Sequence, residues 1–71
     1  MISETQKKII LKMAECNMNI SETARRMYFA KSTIGYHCGE IKNKTGLTPN
    51  NFYDLVELLK IVKQEGIENE S

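Results

Sequence analysis

Apolar residues in this chain recur at steps of three and four in four separate stretches, and no stretch alternates at the strand period. In the first, Ile9, Ile10, Met13 and Ala14 share one side while Lys7, Lys8 and Lys12 fall on the other. Ser3 with Gln6 three positions on has the form of a capping box, which predicts a helix over about 4–15. Asn17, Met18 and Asn19 interrupt the pattern. Asn19 and Glu22 then cap a short second helix, about 20–27, with Ile20, Thr23, Ala24 and Met27 inward. A third, about 31–44, turns Ile34, His37 or Cys38, Ile41 and Thr45 inward and stops at Gly46, with Leu47 folding back on its last turn. Thr48 as cap and Pro49 as first helical residue announce a fourth, about 49–65, closed by Gly66, with 67–71 left as a flexible acidic tail. The expectation is an all-α, four-helix single domain over 1–66 with a helix-turn-helix at its centre.

The fourth helix carries more apolar surface than one core face needs. Phe52, Leu55, Val56, Leu59 and Val62 form one stripe, and Leu58 and Ile61, with Tyr53 beside them, begin another. A second stripe on so small a domain seeks a partner, so Tyr53, Leu58 and Ile61 are the expected dimerisation residues of a homodimer. The bland alternative is that the first helix covers both stripes.

Composition narrows the class. A chain of 71 residues is one domain at most, and its 41% hydrophobic and 27% charged content is that of an ordinary globular protein. No run is long and apolar enough to span a membrane and the first residues lack a secretion signal, so the cytoplasm is the expected location. The net charge of +1 hides an asymmetry. Residues 1–46 carry eight basic side chains against four acidic ones, a difference of +4, whereas 47–71 carry two against five, a difference of −3.

The basic half contains the passage that names a function. Two short helices joined across Tyr28, Phe29 and Ala30, with the small Ala24 where they cross, have the outline of a DNA-reading helix-turn-helix. Helix crossing at this range requires a near absence of side chain at the contact. On the second helix of the pair, Lys31, Ser32, Thr33, Gly35 and Tyr36 are the expected base-reading residues, because short polar groups reach base edges without clashing. Gly35 costs helix stability but lets the backbone approach a base. Arg25 and Arg26, opposite Ala24, are expected on phosphates, with Lys42 and Lys44 and, more weakly, Lys7 or Lys8 in the same role. Tyr28 and Phe29 read as core and turn packing, and His37 as a half-buried packing residue.

The block from Asn19 to Ile61 resembles the carboxy-terminal helix-turn-helix domain of PucR-type bacterial transcription regulators. The resemblance is carried by ETARRM before the turn, by Ser32, Thr33, Ile34, Tyr36 and His37, and by TGLTPNNFYDL at 45–55. It is also distantly similar to four-helix LuxR-type domains. Either resemblance implies that the third helix reads the major groove of double-stranded DNA. Lys31 and Ser32 stand where such domains usually have a basic and an amide side chain, and Gly35 where a larger residue is common.

Other chemistry has little to stand on. The single histidine excludes most triads, Asp54 and Glu57 are an ordinary helix-surface pair, and no enzyme is expected. His37, Cys38 and Cys16 make a poor metal set, both cysteines read as reduced thiols, and no cofactor is expected. The competing functional class is a protein-interaction adaptor that keeps the scaffold without sequence-specific DNA binding.

Overall fold

The computed structural model describes residues 2–65 and contains four helices: α1 (Glu4–Glu15), α2 (Ile20–Met27), α3 (Lys31–Thr45) and α4 (Phe52–Glu65). Local chemistry sets each boundary. At the start of α1, Ser3 Oγ accepts from the Gln6 backbone N–H at 3.1 Å and Gln6 Oε1 accepts from that of Ser3 at 3.2 Å, a complete capping box. α1 ends as a Schellman turn: Met18 N–H donates to the Met13 carbonyl at 2.7 Å and Asn17 N–H to that of Ala14 at 3.4 Å, with Asn17 and Met18 both left-handed. α2 opens on Asn19, whose Oδ1 accepts from the Glu22 N–H at 2.8 Å. It closes with the same bond pattern, Phe29 N–H to the Ala24 carbonyl at 2.9 Å and Tyr28 N–H to that of Arg25 at 3.3 Å. Tyr28 holds the left-handed position there with φ 60°, a conformation that ordinarily selects glycine. Gly46, at φ 78°, ends α3 one residue later than the spacing implied.

α4 departs from expectation twice. It begins at Phe52 and not at Pro49, because Asn51 is its cap: Asn51 Oδ1 accepts from the Asp54 N–H at 3.1 Å, and Asp54 Oδ2 accepts from the Thr48 N–H at 3.2 Å. Pro49 is buried in the preceding turn, where its ring adds to the core. Its expected closing residue Gly66 and the tail 67–71 lie outside the described residues.

The second departure is rotational. Leu55, Leu58 and Val62 are the buried positions of α4, with Leu59 and Ile61 packed partly against them, while Phe52, Tyr53 and Val56 face outward. Leu58 is wholly inaccessible and cannot form the expected dimer face with Tyr53, and Ile61 is half-buried; Phe52 and Val56, expected inside, are surface residues. The reason is α1, the helix that packs against each of the other three and the one on which α4 rests. Its Ile9, Ile10 and Met13 are fully buried and draw in the α4 stripe that runs through Leu58.

α2 packs on both α3 and α1 with Ala24 and Thr23 buried, and the Thr23 hydroxyl lies 2.8 Å from the Asn19 carbonyl and 3.3 Å from Met13 Sδ of α1. Ile34 and Ile41 anchor α3. Each fully buried side chain of this size contributes roughly 1.5–3 kcal/mol.

Candidate nucleic-acid interface

The side of α3 turned from the core carries the residues that the sequence singles out. Lys31, Ser32, Gly35 and Tyr36 are exposed, Tyr36 at 64%, and Thr33 is half-buried. Ala30 opens the helix without a side-chain cap, so no side chain covers its first N–H groups and the positive end of the helix dipole faces outward beside Lys31. Tyr36 packs edge-on against His37, centroids 5.4 Å apart, which steadies its ring on the surface.

Gly35 has a companion that sequence reasoning missed. Gly39 lies one turn on, also exposed, and a Cβ built at either position meets nothing within 4 Å. Packing among the described residues therefore requires neither glycine. The spacing of four between them was the available signal. Together with Ser32 they leave a low strip along the outer face of α3, flanked by Tyr36 and ending near Lys42 and Asn43.

Arg25 and Arg26 project outward from α2, but each already has an anionic partner. Arg25 donates to Glu22 through Nε at 3.3 Å and also through Nη2, and Arg26 Nε donates to the same Glu22 Oε2 at 2.8 Å. These bonds, Arg25 foremost, hold the Glu22 carboxyl at about 2, far below its ordinary 4.5, and raise both guanidinium groups. Glu22 is thus fully charged at any physiological pH. Sequence reasoning treated it only as part of a cap, although its offsets of three and four from the arginines are the usual ones for helix ion pairs.

The lysines divide. Lys42 and Lys8 are exposed, whereas Lys44 Nζ donates to Gln6 Oε1 at 3.1 Å. Lys7 is buried and paired with Glu4 and Glu65, each at 3.4 Å, so it does not serve the phosphate role considered for it. Burial of its alkyl stem against the core draws its charge into an internal network and away from any open face.

Gln6 is a second residue whose role went unread. Its buried amide accepts from Ser3 and Lys44 through Oε1, and its Nε2 donates to His37 Nδ1 at 3.2 Å, tying the start of α1 to the middle of α3. Tyr28 is the clearest reversal: expected in turn packing, it stands 94% exposed, while Phe29 alone packs against the core. Left-handed backbone at 28 aims its side chain away from the helices. Cys16 is buried, and burial raises the thiol of half-buried Cys38. Among the described residues no three of His, Cys, Asp and Glu gather where a metal ion could sit, and no helix is long and apolar enough to cross a membrane.

No protein-family model, curated protein or solved structure matches the chain.

Proposed function

We propose that the chain is a DNA-binding protein, a transcriptional regulator of the PucR-like kind, that enters the major groove with α3. The observation that carries this reading is the low, open strip of Ser32, Gly35 and Gly39 on a helix whose amino end is uncapped and basic. Two glycines inside one helix cost roughly 1 kcal/mol each relative to alanine. Among the described residues no contact offsets that cost, whereas a base edge or thymine methyl brought against the backbone would. Lys31 and Thr33 read bases in this scheme and Tyr36 adds a flat ring and a hydroxyl. Arg25, Arg26 and Lys42 face phosphates, and Lys44 joins them only by leaving Gln6.

One such helix binds weakly, and a second copy restores affinity by engaging a half-site about 34 Å along the duplex. The dimer face we favour is the outward side of α4, where Phe52 is 58% and Tyr53 78% exposed and the two rings pack edge-on, with Val56 one turn beyond. An antiparallel crossing between residues 54 and 55 sets Tyr53 of each copy over Val56 of the other, so the patch is complementary to itself. The same aromatic patch is what favours the second reading, an adaptor that docks a protein partner and does not read DNA.

Titration of a fluorescent duplex pool at low salt tests the leading reading. Binding is expected at protein concentrations below about 100 μM. Lys31→Ala with Thr33→Ala should flatten sequence preference, and Arg25→Ala with Arg26→Ala should weaken binding to every duplex. Absence of binding in that range overturns the proposal. Salt-insensitive capture of a protein partner, lost on Tyr53→Ser, would then favour the adaptor.

A further inference from the structure

On the reading of this chain as a DNA-binding protein, we infer that Glu22 is a built-in competitor for the phosphate-facing arginines, holding affinity down and making it less sensitive to salt. Both guanidinium groups of α2 bond one carboxylate, and Glu22 Oε2 is shared between them. Glu15, at the end of α1 and paired with Lys12 at 2.8 Å, adds a further negative charge that Arg26 feels. The pair of arginines therefore presents one net positive charge to a phosphate where two are available.

Two effects of Glu22 oppose each other. By bonding the guanidinium groups it holds them in place, which favours binding through pre-ordering. By keeping its own charge beside an incoming phosphate it repels that phosphate and must be displaced or tolerated. Both arginines are exposed and Glu22 is half-buried, at 30% exposure, so the bonds, open to water on the arginine side, hold the arginines only weakly. The charge remains whether or not the bonds survive. Even without the arginine bonds that lower it, the carboxyl returns only to its ordinary 4.5 and stays ionised near neutral pH as a phosphate approaches. Repulsion is the larger effect, and it acts where the two arginines draw a phosphate to within reach of Glu22.

The geometry gives no reason for Glu22→Gln to unfold the chain, because the α2 cap uses the backbone N–H of residue 22 and not its side chain. Fluorescence anisotropy with a duplex pool, run from about 50 to 300 mM salt, provides the test. Relative to wild type, Glu22→Gln should bind about threefold more tightly at the low end, as expected for removing one unit charge in a high-dielectric setting. The slope of log affinity against log salt should steepen by up to about 0.9. In an Arg25→Ala, Arg26→Ala background the same substitution should change affinity much less. Equal affinity and slope in wild type and variant, weaker binding by the variant, or an undiminished gain in the arginine-free background each overturns the inference. If neither protein binds at all, it is the DNA reading that fails, and the wild-type titration alone establishes that.

Discussion

Replacing Gly35 and Gly39 with alanine separates what α3 needs for folding from what it needs for a ligand. Both positions lie inside the helix, away from its ends, and neither has a positive φ. An added methyl group at either meets no atom within 4 Å, so there is no steric debit against the gain in helix propensity. That gain is roughly 1 kcal/mol at each site, part of it from the reduced freedom of the unfolded chain. The two sites lie one turn apart, but neither added methyl meets another side chain, so the double variant should gain up to about 2 kcal/mol. For a domain of this size that is a rise in melting temperature on the order of 10 °C. Thermal unfolding followed by circular dichroism measures it, with urea unfolding at constant slope as a check that the unfolded state is unchanged. On the proposed DNA reading, binding should move the other way: the double variant should lose affinity for duplex DNA because added methyl groups would hold its backbone off the base edges. Failure of stability to rise would refute the account of α3 as a helix weakened for no internal reason. A stabilised variant with undiminished DNA affinity would refute the close-approach reading.

Tyr28→Gly should raise stability by about 1 kcal/mol, seen as a higher urea midpoint, since it relieves a left-handed tyrosine that has almost no packing to lose. No gain would mean that the exposed ring contributes more than its surroundings suggest. Leu58→Ala should cost about 2–5 kcal/mol in urea unfolding, whereas Val56→Ala one half-turn away should cost well under 1 kcal/mol and act on self-association measured by sedimentation. Equal costs at 56 and 58 would restore the dimer face that the core placement of Leu58 removes. The Glu22 carboxyl is lowered on folding, so its contribution is fully present above its unfolded value of 4.5 and is lost as pH falls toward about 2. The stability difference between wild type and Glu22→Gln should therefore shrink across that window, and a constant difference from pH 6 to 2 would disprove the pairing.

Much of the architecture is written locally. Ser3 and Gln6, Asn19, and Gly46 mark boundaries that short-range bonds create, and those limits of α1, α2 and α3 can be read within one residue. The start of α4 could not be, because Thr48 with Pro49 and Asn51 with Asp54 are two competing caps, and only burial of the proline decides between them. Nor could its rotation. Apolar residues at 52, 53, 55, 56, 58, 59, 61 and 62 leave periodicity without a preferred side, and the choice falls to long-range packing on Ile9, Ile10 and Met13 of α1. In the candidate site, exposure of Lys31, Ser32, Gly35 and Tyr36 follows from helical spacing once Ile34 and Ile41 are fixed inward. The engagement of both arginines by Glu22 was visible as spacing but not as geometry. The diversion of Lys7 and Lys44 into networks with α1 and α4 depends on tertiary neighbours that no local pattern encodes.

The buried amide of Gln6 gives the first turn of α1 an unusual mechanical status. A helix end is ordinarily the first part of a small domain to open, and its opening leaves the rest undisturbed. Here, releasing that turn would also strip His37 and Lys44 of a partner and leave the imidazole Nδ1 without its donor. Because an amide nitrogen can only donate, the neutral ring must carry its hydrogen on Nε2 while the contact lasts. Opening at the amino terminus is thereby transmitted to the middle of α3 and the surface around Tyr36, so a fragment lacking residues 2–6 would carry a looser third helix even though every residue of that helix is retained.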